Sequence, residues 1–283
     1  RDRLTSMTED SRLYWLPYTF AVDTWVAAND DFDHTGISIE ELQERLLELG
    51  SERPPFESFV TSEWLIGWYS RFALGKFVDQ TSATCSFDSP EFSAALQMCK
   101  DWGQSGGTET LGQRCVLEFE NIQDIIRIGT IGELYHDNYC YVGFPTSSGN
   151  GSMFELLSCF AISAQGDKQE AAWEFIRFAL GNLQPDGLLG VGIPASQSAL
   201  DERLQFLIET GQTFLEFTHK IKPSDAAAFR ALIENTSMVE NSEQGILKII
   251  TDESVSFFTG SKTASEAAAL IQNRVQLYLM ENR

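Results

Sequence analysis

Residues 13–46 read LYWLPYTFAVDTWVAANDDFDHTGISIEELQERL, and within that stretch the hydrophobic pattern changes period. From Leu13 to Ala28 the chain is apolar and rich in β-branched and aromatic residues around Pro17, the composition of buried strands with a turn. From Ser38 the apolar residues recur at three and four (Ile39, Leu42, Leu46, Leu49) with Glu and Arg between them, which predicts an amphipathic helix over 38–49. Gly50 is its stop signal and SERPPFESF the loop beyond. Strand character giving way to helix character in this manner points to an α/β protein.

Between the two periods, NDDFDHTGISIE imitates a calcium loop. Such a loop needs oxygen ligands at positions 1, 3 and 5, glycine at 6 and a bidentate glutamate at 12. Counted from Asp31, Gly36 is in place but position 12 holds Leu42; counted from Asn29, Glu40 is in place but the glycine position holds His34. Either register loses something the coordination geometry requires, so no metal site is expected here.

Further helices are punctuated in the same way. TSEWLIGWYSRFAL (61–74) has Thr61 or Ser62 as N-cap, with Gly75 near its end. DSPEFSAALQMCKDW (88–102) has Ser89 to cap, Pro90 at the first helical position and Glu91 to complement the dipole, with Phe92, Ala95, Leu96, Cys99 and Trp102 as its buried stripe. DKQEAAWEFIRFAL (167–180), GILKIITDESVSFFTG (245–260) and SKTASEAAALIQNRVQLYLMEN (261–282) complete the helical set, the last capped by Ser261 or Thr263. Short strands are expected at RCVLEF (114–119), CYVGFP (140–145) and CFAISA (159–164).

With 43% hydrophobic and 12% aromatic residues the chain has the composition of a folded protein, and its 283 residues can build one large domain or two lobes. A net charge of −21 repels nucleic acid and anionic membrane surfaces and suits a neutral or cationic ligand. The five cysteines are scattered without a CxxC pair, and the three histidines are isolated, so zinc binding and histidine catalysis gain no support. No apolar run is long enough to span a bilayer. The start, RDRLTSMTEDSRLYWLP, lacks an initiator Met and a signal peptide and reads like the interior of a longer protein.

Two constellations remain as candidate chemistry. Glu118 and Glu120 alternate in EFE, which puts both on one face of a strand, as a carboxylate pair or as polar ligand contacts. Trp64 and Trp68 lie four apart and share a helix face, and Tyr14, Trp15, Tyr18 and Trp25 cluster around Pro17. Such aromatics serve either as core or as stacking surfaces for sugar rings, with nearby Glu63 or Glu118 fixing hydroxyls. GLLGVGIP breaks both nucleotide-binding glycine spacings.

Several segments, in order, resemble the extracellular solute-binding proteins of ABC importers, sugar-binding group (maltose-binding-protein-like). SRLYWLPYTFAVDTWVAANDDFDHTGI is similar to that family's G-K-L-Y-x-[LY]-P run followed by Y-N-K-[DE]-L-F…G. FDSPEFSAAL resembles its F-D-S-P-E-F-x-x-A-L helix, and TLGQRCVLEF stands where the family has F-x-x-G-x-x-A-M. The EAAWEF segment, GVGIPAS and the closing FFTGSKTASEAAALIQ helix follow in family order. The family's first βα units have no counterpart, and its P-x-[ST]-W-[DE]-E is reduced to SIEEL.

The resemblance implies an α/β, periplasmic-binding-protein-like (type II) two-lobe fold with the first lobe incomplete: residues 1–24 and 158–200 as remnant of that lobe, 25–157 and 201–283 as the second. It implies a non-enzymatic, extracytoplasmic bacterial protein, lipid-anchored or periplasmic, its anchor segment outside this chain. It would act as a monomer that hands a carbohydrate from an interlobe cleft to ABC permease subunits, without cofactor or metal. The ligand-contacting positions carried over are Tyr18 and Trp25; Glu63, Trp64 and Trp68; Glu118, Phe119 and Glu120; and Phe154 and Glu155. The alternatives are the same fold binding a peptide, polyamine or other cation, and a glycoside hydrolase using Glu118 or Glu120.

Overall fold

The computed structural model describes residues 14–50, 53–104, 114–146, 151–182, 192–214, 217–239 and 243–282. It is a mixed α/β structure, as the change of period predicts. By contacts it divides into two compact units, Arg1–Ile37 with Phe119–Glu240, and Ser38–Glu118 with Asn241–Arg283. These are not the segments expected from the family resemblance. The boundaries 24/25, 157/158 and 200/201 fall inside β1 (Leu16–Ala28), β6 (Met153–Phe160) and α6 (Gln197–Glu209), elements that hydrogen bonding makes continuous.

The first unit is built on a sheet. Leu16 to Ala28 form one unbroken strand of 13 residues, β1, where the sequence suggested strands broken by a turn. Pro17, which lacks an N–H, sits at its second position opposite Cys159, and register shifts on either side of Thr19 accommodate it. β1 pairs antiparallel with β6 through Phe20↔Leu156, Ala21↔Glu155 and Val22↔Phe154, and with β5 (Tyr139–Tyr141) through Val26↔Tyr141. β4 (Glu118–Ile122), β7 (Ile193–Pro194) and the parallel β10 (Met238–Val239) complete six strands, with the main path β10-β6-β1-β4, while β8 (Gln212–Phe214) and β9 (Phe217–His219) pair antiparallel with each other apart from it.

Because a strand alternates its side chains, β1 sorts them onto two faces. Phe20, Val22 and Val26 join Phe154 and Ile122 on the core face. There they meet Ile128 and Ile131 of α4 (Ile126–Leu134), Leu204 and Leu207 of α6, and Phe229 and Leu232 of α7 (Pro223–Asn235). The second face carries the other parity of the same strands, including Asp23 and Trp25. α5 (Gln169–Asn182) reaches the end of β6 through an edge-to-face contact of Phe175 with Phe160, centroids 6.1 Å apart.

The second unit is helical. α1 (Ile39–Leu49) opens with a capping box: Glu41 N–H donates to Ser38 Oγ at 3.0 Å and Ser38 N–H to Glu41 Oε2. α2 (Ser62–Phe77) runs past Gly75 and packs on α3 (Pro90–Gln104) and α8 (Gln244–Phe258); α9 (Ala264–Glu281) packs on α8 and α3. Gly103 permits a close α2–α3 approach, since a Cβ there would stand 2.3 Å from Ser62 N. A short hairpin of β2 (Val78–Asp79) and β3 (Thr84–Cys85) is held by α9, whose Gln272 accepts from Phe87 N–H at 2.6 Å and donates to Cys85 O at 2.9 Å. Phe77, Phe87 and Phe92 make an aromatic triad beneath it, with centroids 4.9–5.5 Å apart.

The strand expected at 114–119 lies four residues later, as β4. Val116 and Leu117 instead donate to Pro54 and Pro55 carbonyls at 3.0 Å in the helical unit, so sheet pairing begins only at Glu118. Likewise CFAISA contributes only its first two residues to β6, because Phe160 is the last residue with a β1 partner, Leu16.

Candidate functional site

The second face of the sheet holds a polar cluster beside an aromatic one. Asp23 interrupts the apolar run FAVDTWVA and is nevertheless buried. Glu155 stands opposite Ala21, one diagonal step from Asp23. Two carboxylates that share one amide nitrogen stand about 5 Å apart and repel by about 3 kcal/mol at an effective dielectric near 20. Asn121 of β4 lies between them: its Nδ2 donates to Asp23 Oδ1 at 2.5 Å and to Glu155 Oε2 at 3.0 Å. Gln123 Nε2 donates in turn to Asn121 Oδ1 at 2.5 Å. The amide orientation is forced, since a carboxylate only accepts.

Trp25, two residues along the same face, is fully buried. Its ring meets Phe119 edge-on at 5.8 Å and Phe144 at 6.2 Å, so the half-buried Phe119 is the outer ring of the group. Of the carried-over positions, Trp25, Phe119 and Glu155 lie on this face. Asp23 and Asn121 join them and were not singled out in the sequence. A lone carboxylate inside an apolar strand was the available signal for Asp23, and spacing two from Phe119 for Asn121.

The other carried-over residues of the sheet unit point elsewhere. Phe154 is in the core, edge-on to Phe20 at 5.2 Å. Tyr18 is buried at the register shift, 5.3 Å from Phe160. Glu120 has the parity of Ile122, is buried, and is gripped by both arms of Arg127, with Nε to Oε2 at 2.8 Å and Nη2 to Oε1 at 2.5 Å. Glu118 forms an ion pair with Arg114 at 3.2 Å. Each member of the EFE pair is therefore held by an arginine.

In the helical unit, Thr61 caps α2 by accepting from Trp64 N–H at 3.2 Å, with Glu63 in the first turn. The Trp64 and Trp68 rings stack, 5.1 Å apart and 24° from parallel. Phe59 stands edge-on to Trp64 at 6.0 Å, Phe72 extends the row beyond Trp68, and the Arg71 guanidinium lies 5.6 Å over the Trp68 ring. Exposure falls along the row: Phe59 is 49% exposed, Trp64 half-buried, Trp68 buried at 5%. Beside the row, burial and the Glu91 charge push the Tyr69 phenol up to about 12.

No protein-family model matches the chain, and no curated protein matches it in sequence. Solved structures do match it in shape. The sugar-binding protein MalE from the phytopathogen Xanthomonas citri superposes with a TM-score of 0.65 at 13% identity, over 100% of this chain and 75% of that one. This chain has the solute-binding-protein fold. An ABC transporter solute-binding protein from Thermotoga lettingae, bound with α-D-tagatose, matches with a TM-score of 0.60 at 15% identity, over 97% of this chain and 74% of its own. A cyclic α-maltosyl-1,6-maltose binding protein from Arthrobacter globiformis gives 0.57 at 17%, over 99% and 76%. The chain with this fold therefore spans about three quarters of each of these structures.

Proposed function

We propose that the protein is the solute-binding component of an ABC importer and binds a neutral carbohydrate, most simply an oligosaccharide, without chemical transformation. The observation that carries this reading is the second sheet face, where buried Asp23 and half-buried Glu155 are fixed as hydrogen-bond acceptors by Asn121, two residues along β4 from the half-buried ring of Phe119. Hydroxyl groups donate to such carboxylates, and sugar C–H faces lie against such rings. The fold supports it, because the solved structures of this shape include proteins described as binding tagatose and a cyclic maltosyl-maltose. The Phe59–Trp64 end of the α2 row offers a second stacking surface of the same chemistry.

The partners on this reading are the permease subunits of the importer. The location is extracytoplasmic, on a bacterial cell surface through a lipid anchor or in a periplasm. Among the described residues no helix is long and apolar enough to cross a membrane. Calorimetric titration with maltotriose, xylotriose and other neutral oligosaccharides tests the reading. Heat of binding from at least one is expected, and none from any would sink it.

A second reading keeps the fold and takes a cationic solute, a polyamine or basic peptide. Its support is the carboxylate pair together with the net charge of −21. Salt separates the two, because raising ionic strength weakens a cation held by charge and leaves a neutral sugar nearly unaffected.

A further inference from the structure

We propose that Asn121 is a positioning residue that holds Asp23 and Glu155 as one acceptor-only pair, and that this pair selects uncharged polyhydroxyl ligands against anionic ones. The ligand class rests on the carbohydrate reading above; the positioning does not.

The hydrogen-bond inventory carries the first half. A side-chain amide has two N–H donors and one carbonyl acceptor. Both donors of Asn121 are spent on carboxylates, one on Asp23 at 2.5 Å and one on Glu155 at 3.0 Å. Its carbonyl takes the Gln123 amide at 2.5 Å. Asn121 is thereby locked, and it bridges two like charges on one face of the sheet.

The consequence for ligands follows from what the pair can do. Ionised carboxylates accept hydrogen bonds and never donate, so the group that meets them must bring its own hydrogen. A sugar hydroxyl does. A uronate carboxylate or a sulfate does not, and it adds a third negative charge to a half-buried cluster. Even after solvent screening, a like charge within about 5 Å costs tenfold or more in affinity. The face therefore discriminates by charge before it discriminates by sugar shape.

Nitrogen-15 NMR of the whole chain and calorimetry test the two halves separately. In the wild-type protein both Asn121 Nδ2 protons are expected downfield and protected from solvent exchange. Asp23→Asn is expected to move one of them and Glu155→Gln the other. Freely exchanging Asn121 amide protons overturn the positioning role, whatever the sugars do, and this arm needs no variant to fold. In calorimetry, a neutral trisaccharide such as xylotriose or maltotriose is expected to bind at least tenfold tighter than trigalacturonate. Asn121→Ala keeps both charges, so it should weaken the neutral sugar about tenfold while trigalacturonate stays excluded. Asp23→Asn and Glu155→Gln should each relax that exclusion. Trigalacturonate binding to wild type as tightly as the neutral sugars overturns the selectivity. Protected amide protons with no heat from any neutral sugar leave Asn121 in its positioning role, but sink the carbohydrate reading and the ligand half of this proposal with it.

Discussion

The sheet unit and the helical unit each gather aromatic rings near acidic groups, and they arrange them in opposite ways. On the sheet the tryptophan is sealed in and the polar groups form the outer surface: Trp25 is fully buried under Phe119 and Phe144, while Asn121 and Glu155 stay half-buried. On α2 the aromatics themselves are the outer surface, from exposed Phe59 through Trp64 to buried Trp68. On the sheet the two kinds of group share one face of β1, and Trp25 is sealed because Phe119 and Phe144 close over it. A helix's residues at i and i+4 share a face but sit one turn apart, so burial changes gradually along a single stripe.

The sharpest way to break this contrast is to truncate the tryptophans. Trp25→Ala removes a fully buried ring from between two others and is expected to cost about 3–5 kcal/mol. Trp64→Ala, at the open end of its row, should cost under about 1 kcal/mol. Urea unfolding of both variants measures this. Equal losses would mean that Trp64 is as much a core residue as Trp25.

The elements that were legible in the sequence were those whose ends carry local chemistry. Ser38 with Glu41, Thr61, Ser89 with Pro90, and Thr263 with Glu266 all mark helix starts that the structure realises within a residue or two. The strands were less legible, because pairing partners lie far away in sequence. β1 passes through Pro17 because Cys159 and a register shift receive it, and β4 starts late because Pro54 and Pro55 claim Val116 and Leu117 first. The same limit applies to the site. Family resemblance supplied Trp25, Phe119 and Glu155, but only the pairing register shows that Phe154 and Glu120 lie on the opposite face, and that Asp23 and Asn121 complete the cluster. Glu118 and Glu120 alternate as a carboxylate pair would, but each is held by its own arginine.

A smaller effect compares how the two units use amides. Gln272 in the helical unit bridges Phe87 N–H and Cys85 O at the end of the β2–β3 hairpin. Gln272→Ala should cost about 1–3 kcal/mol, since it strands backbone groups that are part-buried. Amide exchange at Phe87 should accelerate with it. Asn121→Ala on the sheet face strips two charge-assisted bonds from carboxylates, one of them buried, and should cost at least as much in unfolding experiments. A clearly smaller loss would mean that water satisfies the two carboxylates once the amide is gone.

Smaller again is the contribution of stacking on α2. If the Phe59–Trp64 end takes a sugar face, Trp64→Ala should lower affinity for the best neutral oligosaccharide about threefold to tenfold, the equivalent of about 0.5–1.5 kcal/mol. Trp64→Tyr should recover most of it, because a smaller ring still offers a face. Calorimetry decides the matter. Unchanged affinity in Trp64→Ala would confine ligand contacts to the sheet face.

The smallest expected effect lies at two helix starts within the helical unit. α9 begins with a complete capping box: Thr263 Oγ1 accepts from Glu266 N–H at 3.2 Å, and Thr263 N–H donates to Glu266 Oε2 at 2.8 Å. α8 begins at Glu243 with no side-chain cap bond. Thr263→Ala is expected to cost about 0.5–1 kcal/mol, while Glu243→Ala should leave the helix start unaffected. The box also has a pH signature. The backbone N–H of Thr263, and then its hydroxyl, hold the Glu266 carboxyl below the ordinary glutamate value. A group whose folded pKa is depressed binds its proton less readily when folded, so its contribution is present above the ordinary glutamate pKa and is lost as pH falls through the folded value. The gap between wild type and Thr263→Ala, measured by thermal unfolding, should therefore be full near neutral pH and shrink on acidification. A gap that stayed constant from neutral to strongly acidic pH would show that the Thr263 hydroxyl caps α9 without help from the glutamate's charge.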